Sequence, residues 1–268
     1  MSFLEELSRA KAEKKSSLCV GLDPASIFLR ETNCVPRTYF EKADEKTALL
    51  NFCLDVIEKT APYCAAFKPN QQYLFPFSFD DYFSLNRAIH DAGCVSIMDC
   101  KLGDIGSTNE AAFYWLKKTG FDALTFSPFA GNVAEAVEAA HSRKLGLFVL
   151  TLMSNPEARF FMRDSIICGG KGYAWIARQA AMHSVDGCVV GATSNASELR
   201  EVIGIAGSEK SFLVPGVGAQ GGSLETTVSV LGESALVNVS RGITCEEDAG
   251  KAARAWREKI NSLLARKN

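Results

Sequence analysis

The sequence predicts an α/β fold: a (β/α)8 TIM barrel that forms one domain over residues 1–268. Short apolar runs alternate with longer amphipathic stretches, and a strand followed by a helix eight times over is the pattern of this barrel. The chain length of 268 residues is close to the about 250 residues typical of the fold. The eight predicted strands cover residues 17–23, 63–68, 94–101, 122–127, 145–152, 186–190, 211–215 and 234–240.

The segments between the predicted strands carry the spacing and the end signals of helices. Ser107 and Glu110 have the spacing of a capping box, and Asn195 with Glu198 provides a weaker helix start. Residues 24–38 are longer than an ordinary strand-to-helix loop. We interpret them as an insertion at the top of the barrel.

Composition and charge exclude several classes of function. The 29 basic and 31 acidic residues leave a formal charge of −2, so no broad field is available to hold nucleic acid or an anionic membrane. No apolar run approaches the roughly 18 residues of a membrane span, and residues 1–17 lack the apolar core of an export signal. The nine cysteines are scattered, with no C-x-x-C pair. We therefore expect a soluble cytoplasmic protein with reduced thiols and no bound metal.

Asp99, Lys101 and Asp104 lie where the third predicted strand ends. Barrel active sites are built at the C-terminal ends of strands and in the loops that follow. Because strand side chains alternate, Asp99 and Lys101 point to one face, and Asp104 follows in the loop. Two carboxylates around one ammonium predict a catalytic site. The structural alternative is a salt bridge that closes the barrel mouth.

Two further charged residues end the first two predicted strands. Lys68 is expected at the same height as Asp99, where it would complete an alternating array of lysines and aspartates. Its alternative is a solvated lysine at a strand end. Asp23 could accept hydrogen bonds from sugar hydroxyls, or it could simply form an Asp-Pro turn with Pro24.

A glycine-rich loop and an arginine predict a phosphate site after the last two strands. Residues 215–222 read PGVGAQGG, and their glycines permit close approach of the backbone to a ligand. Arg241 and Gly242 follow the eighth predicted strand, and the guanidinium suits bidentate contact with phosphate. The loop alone could be a flexible turn, but barrels often bind phosphate in this place. Ser154, after the fifth strand, offers a hydroxyl to a ligand.

These motifs, in this order, resemble the orotidine 5′-monophosphate decarboxylase family. The resemblance is carried by the sequence DCKLGDI at 99–105, with Lys68 and Ser154 on either side and 215–222 and Arg241 near the end. The Asp-x-Lys-x-x-Asp part is shared with related barrels such as 3-hexulose-6-phosphate synthase, whereas the full set is specific. The sequences around Lys68 and Asp104 are similar to the longer branch of the family, seen in many bacteria and in fused pyrimidine-pathway proteins.

The resemblance implies a cofactor-free homodimeric enzyme that decarboxylates orotidine 5′-monophosphate (OMP) to UMP in de novo pyrimidine biosynthesis. It implies a catalytic tetrad of Lys68, Asp99, Lys101 and Asp104, in which Lys101 protonates a carbanion at C6. Asp104, Ile105 and Thr108 would reach into the partner subunit's site. The implied substrate contacts are those of Asp23 and Lys68 with the ribose, Ser154 with the pyrimidine, and Gln220 and Arg241, beside Gly242, with the phosphate.

Other functions stay open at this point. A Mg2+-dependent hexulose-phosphate synthase would need a metal on Asp99 and Asp104. A Schiff-base aldolase using Lys101 or Lys68 is less favoured, because flanking carboxylates keep a lysine charged and non-nucleophilic. The non-enzyme alternative is a nucleotide-binding barrel that has lost its chemistry.

Overall fold

The computed structural model describes residues 1–27, 29, 34–217 and 221–266. Its strands are β1 (Leu18–Leu22), β2 (Ala66–Pro69), β3 (Val95–Leu102), β4 (Ala123–Phe126), β5 (Gly146–Leu152), β6 (Ile166–Ile167), β7 (Gly170–Lys171), β8 (Gly187–Val190), β9 (Ser211–Val214) and β10 (Ala235–Val239). Eight of them pair in parallel in the order β1-β10-β9-β8-β5-β4-β3-β2 and close into a barrel. The predicted (β/α)8 fold is confirmed. The antiparallel hairpin of β6 and β7 was not predicted.

Helices surround the barrel and connect its strands. They are α1 (Phe3–Lys14), α2 (Arg37–Phe40), α3 (Glu45–Thr60), α4 (Phe79–Asp91), α5 (Gly106–Lys118), α6 (Val133–Ser142), α7 (Gly172–Met182), α8 (Ala196–Ala206), α9 (Leu224–Leu231), α10 (Arg241–Thr244) and α11 (Ala249–Ala265). In the part of the chain that the structure describes, none of them is long and apolar enough to cross a bilayer.

One of the two predicted helix starts was wrong. Asn195 and Glu198 form a capping box at the start of α8, but α5 begins at Gly106, before Ser107, with Ile105 at its N-cap and no side-chain cap. The Asn109 side-chain amide instead donates to the Asp104 carbonyl at 2.5 Å. This hydrogen bond connects the first turn of α5 to the preceding loop. The position of the loop therefore sets where the helix begins.

The strands place one set of side chains inside the barrel and the other against the helices. The inward set includes Ala66, Ile97 and Ala123, all fully buried. Because side chains alternate along a strand, the inward series continues two residues later at Lys68, Asp99 and Thr125. Apolar residues therefore fill the lower barrel, and polar residues occupy its C-terminal mouth.

Helix α1 covers the opposite end of the barrel. The Phe3 ring packs edge-on against Phe148, with 5.6 Å between the ring centroids, and Leu7 is buried beside it. Two lysines of α1 donate to backbone carbonyls at that end, Lys11 to Ala235 at 3.1 Å and Lys14 to Ala92 at 2.6 Å. The helix therefore seals the end of the barrel remote from the polar mouth.

The prediction that all nine cysteines are reduced was wrong for Cys34 and Cys245, which form a disulfide. They are 211 positions apart in sequence, yet their Cα atoms lie 4.3 Å apart. The pairing of β1 with β10 brings the segments after those strands together, and each segment carries one of the cysteines. The other seven cysteines are free thiols.

Candidate active site

A pocket of about 370 Å3 opens at the C-terminal end of the barrel. Its lining includes seven residues predicted from the sequence: Asp23, Lys68, Asp99, Lys101, Ser154, Arg241 and Gly242. They come from five places far apart in the sequence, and barrel closure brings their strand ends to one mouth. The pocket therefore lies where barrel enzymes have their active sites.

Three predicted residues lie outside this pocket. Asp104, Ile105 and Thr108 are exposed on the surface and do not contribute to the lining. Ile105, a large apolar side chain, is 61% exposed. Gln220, the predicted phosphate ligand, lies outside the described residues. The structure thus separates Asp104 from the other three members of the expected tetrad.

Asp99 lies between two ammonium groups. Lys68 Nζ is 2.5 Å from Asp99 Oδ2, and Lys101 Nζ is 2.6 Å from Asp99 Oδ1. Lys68 is 4% exposed, because it continues the inward series of β2. The three side chains form a continuous charged array across β2 and β3.

Electrostatics hold the pair of Lys68 and Asp99 in its ionised form. Burial by itself raises the pKa of the Asp99 carboxyl, but attraction to Lys68 and Lys101 outweighs it, and the pKa lies well below its usual range. For Lys68, burial favours the neutral amine, whereas Asp99 and Asp23 favour the ammonium, and the pKa is raised. Lys68 and Asp99 are therefore both charged throughout the neutral pH range.

Several polar residues of the pocket were missed by the sequence analysis, among them Asn70, Thr125 and Asn238. Asn70 follows β2, and its backbone forms an isolated parallel β-bridge with that of Asp99 on β3. Asn238 is 6% exposed, and its Oδ1 has no hydrogen-bond partner in the described residues. Thr125 points inward, as expected for a residue two positions after Ala123 on a strand, but a lone threonine carries no chemical signal in the sequence.

The predicted phosphate end of the pocket is formed by the last two barrel strands. Arg241 and Gly242 begin α10 and line the pocket, together with Gly216 after β9. A side chain at Gly21, on the neighbouring β1, would collide with the hydroxyl of Ser240. A larger residue at that position would force Ser240, beside Arg241, to shift.

Comparison with known proteins places this geometry in a family. Residues 16–256 match the model of the Orotidine 5'-phosphate decarboxylase / HUMPS family. The orotidine 5'-phosphate decarboxylase of Roseiflexus castenholzii is 34% identical over 98% of this chain and 99% of its own length. That of Cupriavidus metallidurans is also 34% identical, over 97% of this chain and 98% of its own.

Solved structures agree with this assignment. The OMP decarboxylase of Leishmania donovani has a TM-score of 0.82 and 28% identity, covering 99% of both chains. The Leishmania donovani UMP synthase has a TM-score of 0.83 and 30% identity, covering 98% of this chain and 57% of that longer one. The family resemblance seen in the sequence is confirmed, and the chain belongs to the orotidine 5'-phosphate decarboxylase / HUMPS family.

Proposed function

We propose that this chain, as one domain over residues 1–268, decarboxylates OMP to UMP in de novo pyrimidine biosynthesis. The observation that carries the proposal is the array of Lys68, Asp99 and Lys101 in the pocket of a chain that belongs to this family. The reaction builds negative charge at C6 of the pyrimidine, and a fixed ammonium in the pocket is suited to stabilise it.

Lys101 is the proton donor in this proposal. The bond between C6 and the carboxylate breaks, its electron pair stays on C6, and CO2 leaves. Lys101 then transfers a proton from Nζ to C6 and regains one from solvent. Its side chain is 43% exposed, which gives solvent access for that return step. The protein's own groups supply the charge stabilisation, so we expect the reaction to need no cofactor.

Asp99 and Lys68 hold Lys101 in place. Both carboxylate oxygens of Asp99 contact lysine ammonium groups, so Asp99 cannot rotate without losing an ion pair. Lys68 is buried behind it. The arrangement keeps the donor aimed into the pocket before substrate arrives, and such preorganisation lowers the barrier to reaction.

The remaining pocket residues would bind the nucleotide. Asp23 Oδ1 is buried without a hydrogen-bond partner in the described residues, which suits it to accept from a ribose hydroxyl. We assign the pyrimidine to Ser154 and the phosphate to Arg241 beside Gly242. Gln220 keeps its expected role at the phosphate as part of this proposal.

We further propose a homodimer in which Asp104, Ile105 and Thr108 complete the site of the partner subunit. Their exposure and their absence from the lining of their own pocket support this assignment. Asn132, in the segment after β4, donates to the Asp104 carbonyl at 3.1 Å. Phe129 in the same segment is a further apolar side chain that is 85% exposed, and such an interface would cover it.

Mixing two inactive variants tests the shared site. Lys101→Ala and Asp104→Ala each remove one contribution, and a mixed dimer has one site with both residues intact. With random exchange we expect recovery of about a quarter of wild-type activity. No recovery after exchange, checked by tagged copurification of the two variants, would contradict the shared site.

A metal-dependent reaction is the rival, and the contacts of Asp99 argue against it. A divalent cation on Asp99 would have to displace Lys68 or Lys101 from an ion pair. The deciding assay follows the ultraviolet absorbance of OMP with and without EDTA. Equal turnover in both supports the proposal, and loss of turnover with EDTA that Mg2+ restores contradicts it.

We propose a cytoplasmic location, as expected from the sequence. Seven of the nine cysteines are free thiols, and five of these are fully or almost fully buried, which is typical of proteins kept in a reducing compartment. The Cys34–Cys245 disulfide is the exception. Cell fractionation with an antibody against the protein would test the location.

A further inference from the structure

The backbone of the proposed proton donor has an unusual conformation. Lys101 has φ of +49°, in the left-handed region that residues other than glycine rarely adopt. Such conformations persist only where the surrounding contacts hold them, and they cluster at functional sites. The contacts that hold Lys101 therefore bear on the position of its ammonium.

The left-handed turn belongs to an irregularity between β3 and β4. Met98 pairs with Leu124, and Leu102 pairs with Phe126. Three residues of β3, 99–101, thus lie opposite the single residue Thr125. The extra residues let both Asp99 and Lys101 approach the same point on the neighbouring strand.

That point is the hydroxyl of Thr125. Its Oγ1 accepts a hydrogen bond from the Lys101 backbone N–H at 2.9 Å and donates one to Asp99 Oδ1 at 3.1 Å. Asp99 Oδ1 is the same oxygen that accepts from Lys101 Nζ at 2.6 Å. Thr125 is 1% exposed, so water does not replace it in these contacts.

We propose that Thr125 is a positioning residue for the decarboxylation: its one hydroxyl holds the Lys101 backbone and the Asp99 carboxylate in register, and so aims the Lys101 ammonium at C6. The inference rests on the proposed function and adds a residue to it. Thr125 acts through Asp99 and Lys101 and transfers no proton to substrate.

The residue type fits this role. A β-branched side chain has few allowed χ1 rotamers, so the hydroxyl of threonine is held in one direction better than that of serine. Valine has nearly the same shape but can neither accept the Lys101 N–H nor donate to Asp99. The pair Thr125→Val and Thr125→Ser therefore separates the hydroxyl from the volume of the side chain.

Steady-state kinetics with OMP test the proposal. We expect Thr125→Val to lower kcat by roughly 10- to 100-fold with KM changed less than about threefold, because a small misplacement of a reacting group affects the transition state more than ground-state binding. Thr125→Ser should stay within about fivefold of wild type, since it keeps the hydroxyl. Thr60→Val is the matched control: Thr60 is equally buried, and within the described residues its hydroxyl bonds only to the Val56 carbonyl of its own helix.

Hydrogen exchange provides a readout that loss of folding stability alone would not move. The Lys101 amide should be protected in wild type and in Thr125→Ser and exchange faster in Thr125→Val, while amides of the neighbouring β4 stay protected. If Thr125→Val does not fold, Thr125→Ala against Thr125→Ser gives the same comparison.

The outcomes separate this inference from the proposed function. A wild-type protein that binds UMP but leaves OMP unchanged contradicts the proposed function itself. An active wild type, with Thr125→Val at the same kcat, contradicts the role of Thr125 alone. A Thr125→Val variant whose KM rises as much as its kcat falls, or whose lost activity Thr125→Ser does not restore, also contradicts it.

Discussion

The two ends of the barrel both hold buried carboxylates, but the partners of these carboxylates differ. At the C-terminal mouth, Asp99 contacts two ammonium groups. At the N-terminal end, Asp122 Oδ2 accepts from the Ser96 N–H at 2.8 Å and contacts His90 Nε2 at 2.9 Å. The contact with His90 joins α4 to the start of β4.

The N-terminal arrangement occurs twice. Asp186 Oδ2 accepts from the Leu147 N–H at 2.9 Å and contacts His141 Nε2 at 2.8 Å. Asp122 precedes β4 and accepts from the backbone of β3, and Asp186 precedes β8 and accepts from the backbone of β5. The two histidines come from the surrounding helices α4 and α6. These contacts connect helix to barrel, as expected of elements that maintain the fold.

The two ends of the barrel therefore differ in how much charge they hold away from water. At the N-terminal end, one carboxylate satisfies a backbone donor and a half-exposed ring, so little charge is held away from water. At the mouth, like charges are brought close around Asp99, and Lys68 is buried with them. Apolar side chains would be easier to bury at the barrel mouth than these charged groups. We therefore attribute the charged array to the chemistry of the pocket and not to a gain in stability.

The largest expected effect is on catalysis at the mouth. Lys101→Ala removes the proposed proton donor, so we expect kcat to fall by roughly a thousandfold or more. UMP binding should persist, because the phosphate and ribose contacts lie elsewhere in the pocket. Absorbance assays measure turnover, and titration calorimetry measures binding. A variant that keeps roughly a tenth of wild-type kcat would rule out the proton-donor role.

The next effect is on stability at the mouth. Lys68→Met removes one partner of a buried pair and leaves Asp99 with Lys101 alone, so we expect the free energy of unfolding to fall by about 3 kcal/mol. Lys59→Met is the control. Lys59 pairs with Asp55 at the surface with 52% of its side chain exposed, and such pairs contribute less than about 1 kcal/mol. Equal urea midpoints for the two variants would contradict the expected difference in stability between the buried pair and the surface pair.

The smallest effect concerns pH at the opposite end. Hydrogen bonds to Asp122 and Asp186 raise the pKa of His90 and of His141 above the usual value. A raised pKa means that the stabilisation is complete below the unfolded-state pKa of about 6.5 and is lost as pH rises through the folded-state pKa.

The double variant His90→Gln, His141→Gln tests this titration. It should lose more unfolding free energy relative to wild type near pH 5.5 than near pH 8.5. We expect a loss below about 1 kcal/mol per site, because each ring is 42% exposed and solvent screens the pair. His183→Gln is the control, since His183 forms no ion pair in the described part of the chain. A loss that does not depend on pH would show that the rings act only as neutral hydrogen-bond partners.

The sequence determined the architecture and most of the charged array. Eight apolar runs predicted eight barrel strands, and strand alternation predicted that Lys68, Asp99 and Lys101 meet at one mouth. Both rest on local regularities, because a strand repeats every two residues and the C-terminal ends of parallel strands share one side of the barrel. A pattern in the chain is enough to detect them.

Tertiary structure decided the features that depend on residues far apart in sequence. The Cys34–Cys245 disulfide requires β1 to pair with β10, and the left-handed backbone of Lys101 requires the bulge opposite Thr125. The exposure of Asp104 also appears only when the barrel has closed. Local patterns record which way a side chain points, whereas the neighbour it meets there is set by the register of strands that closure brings together.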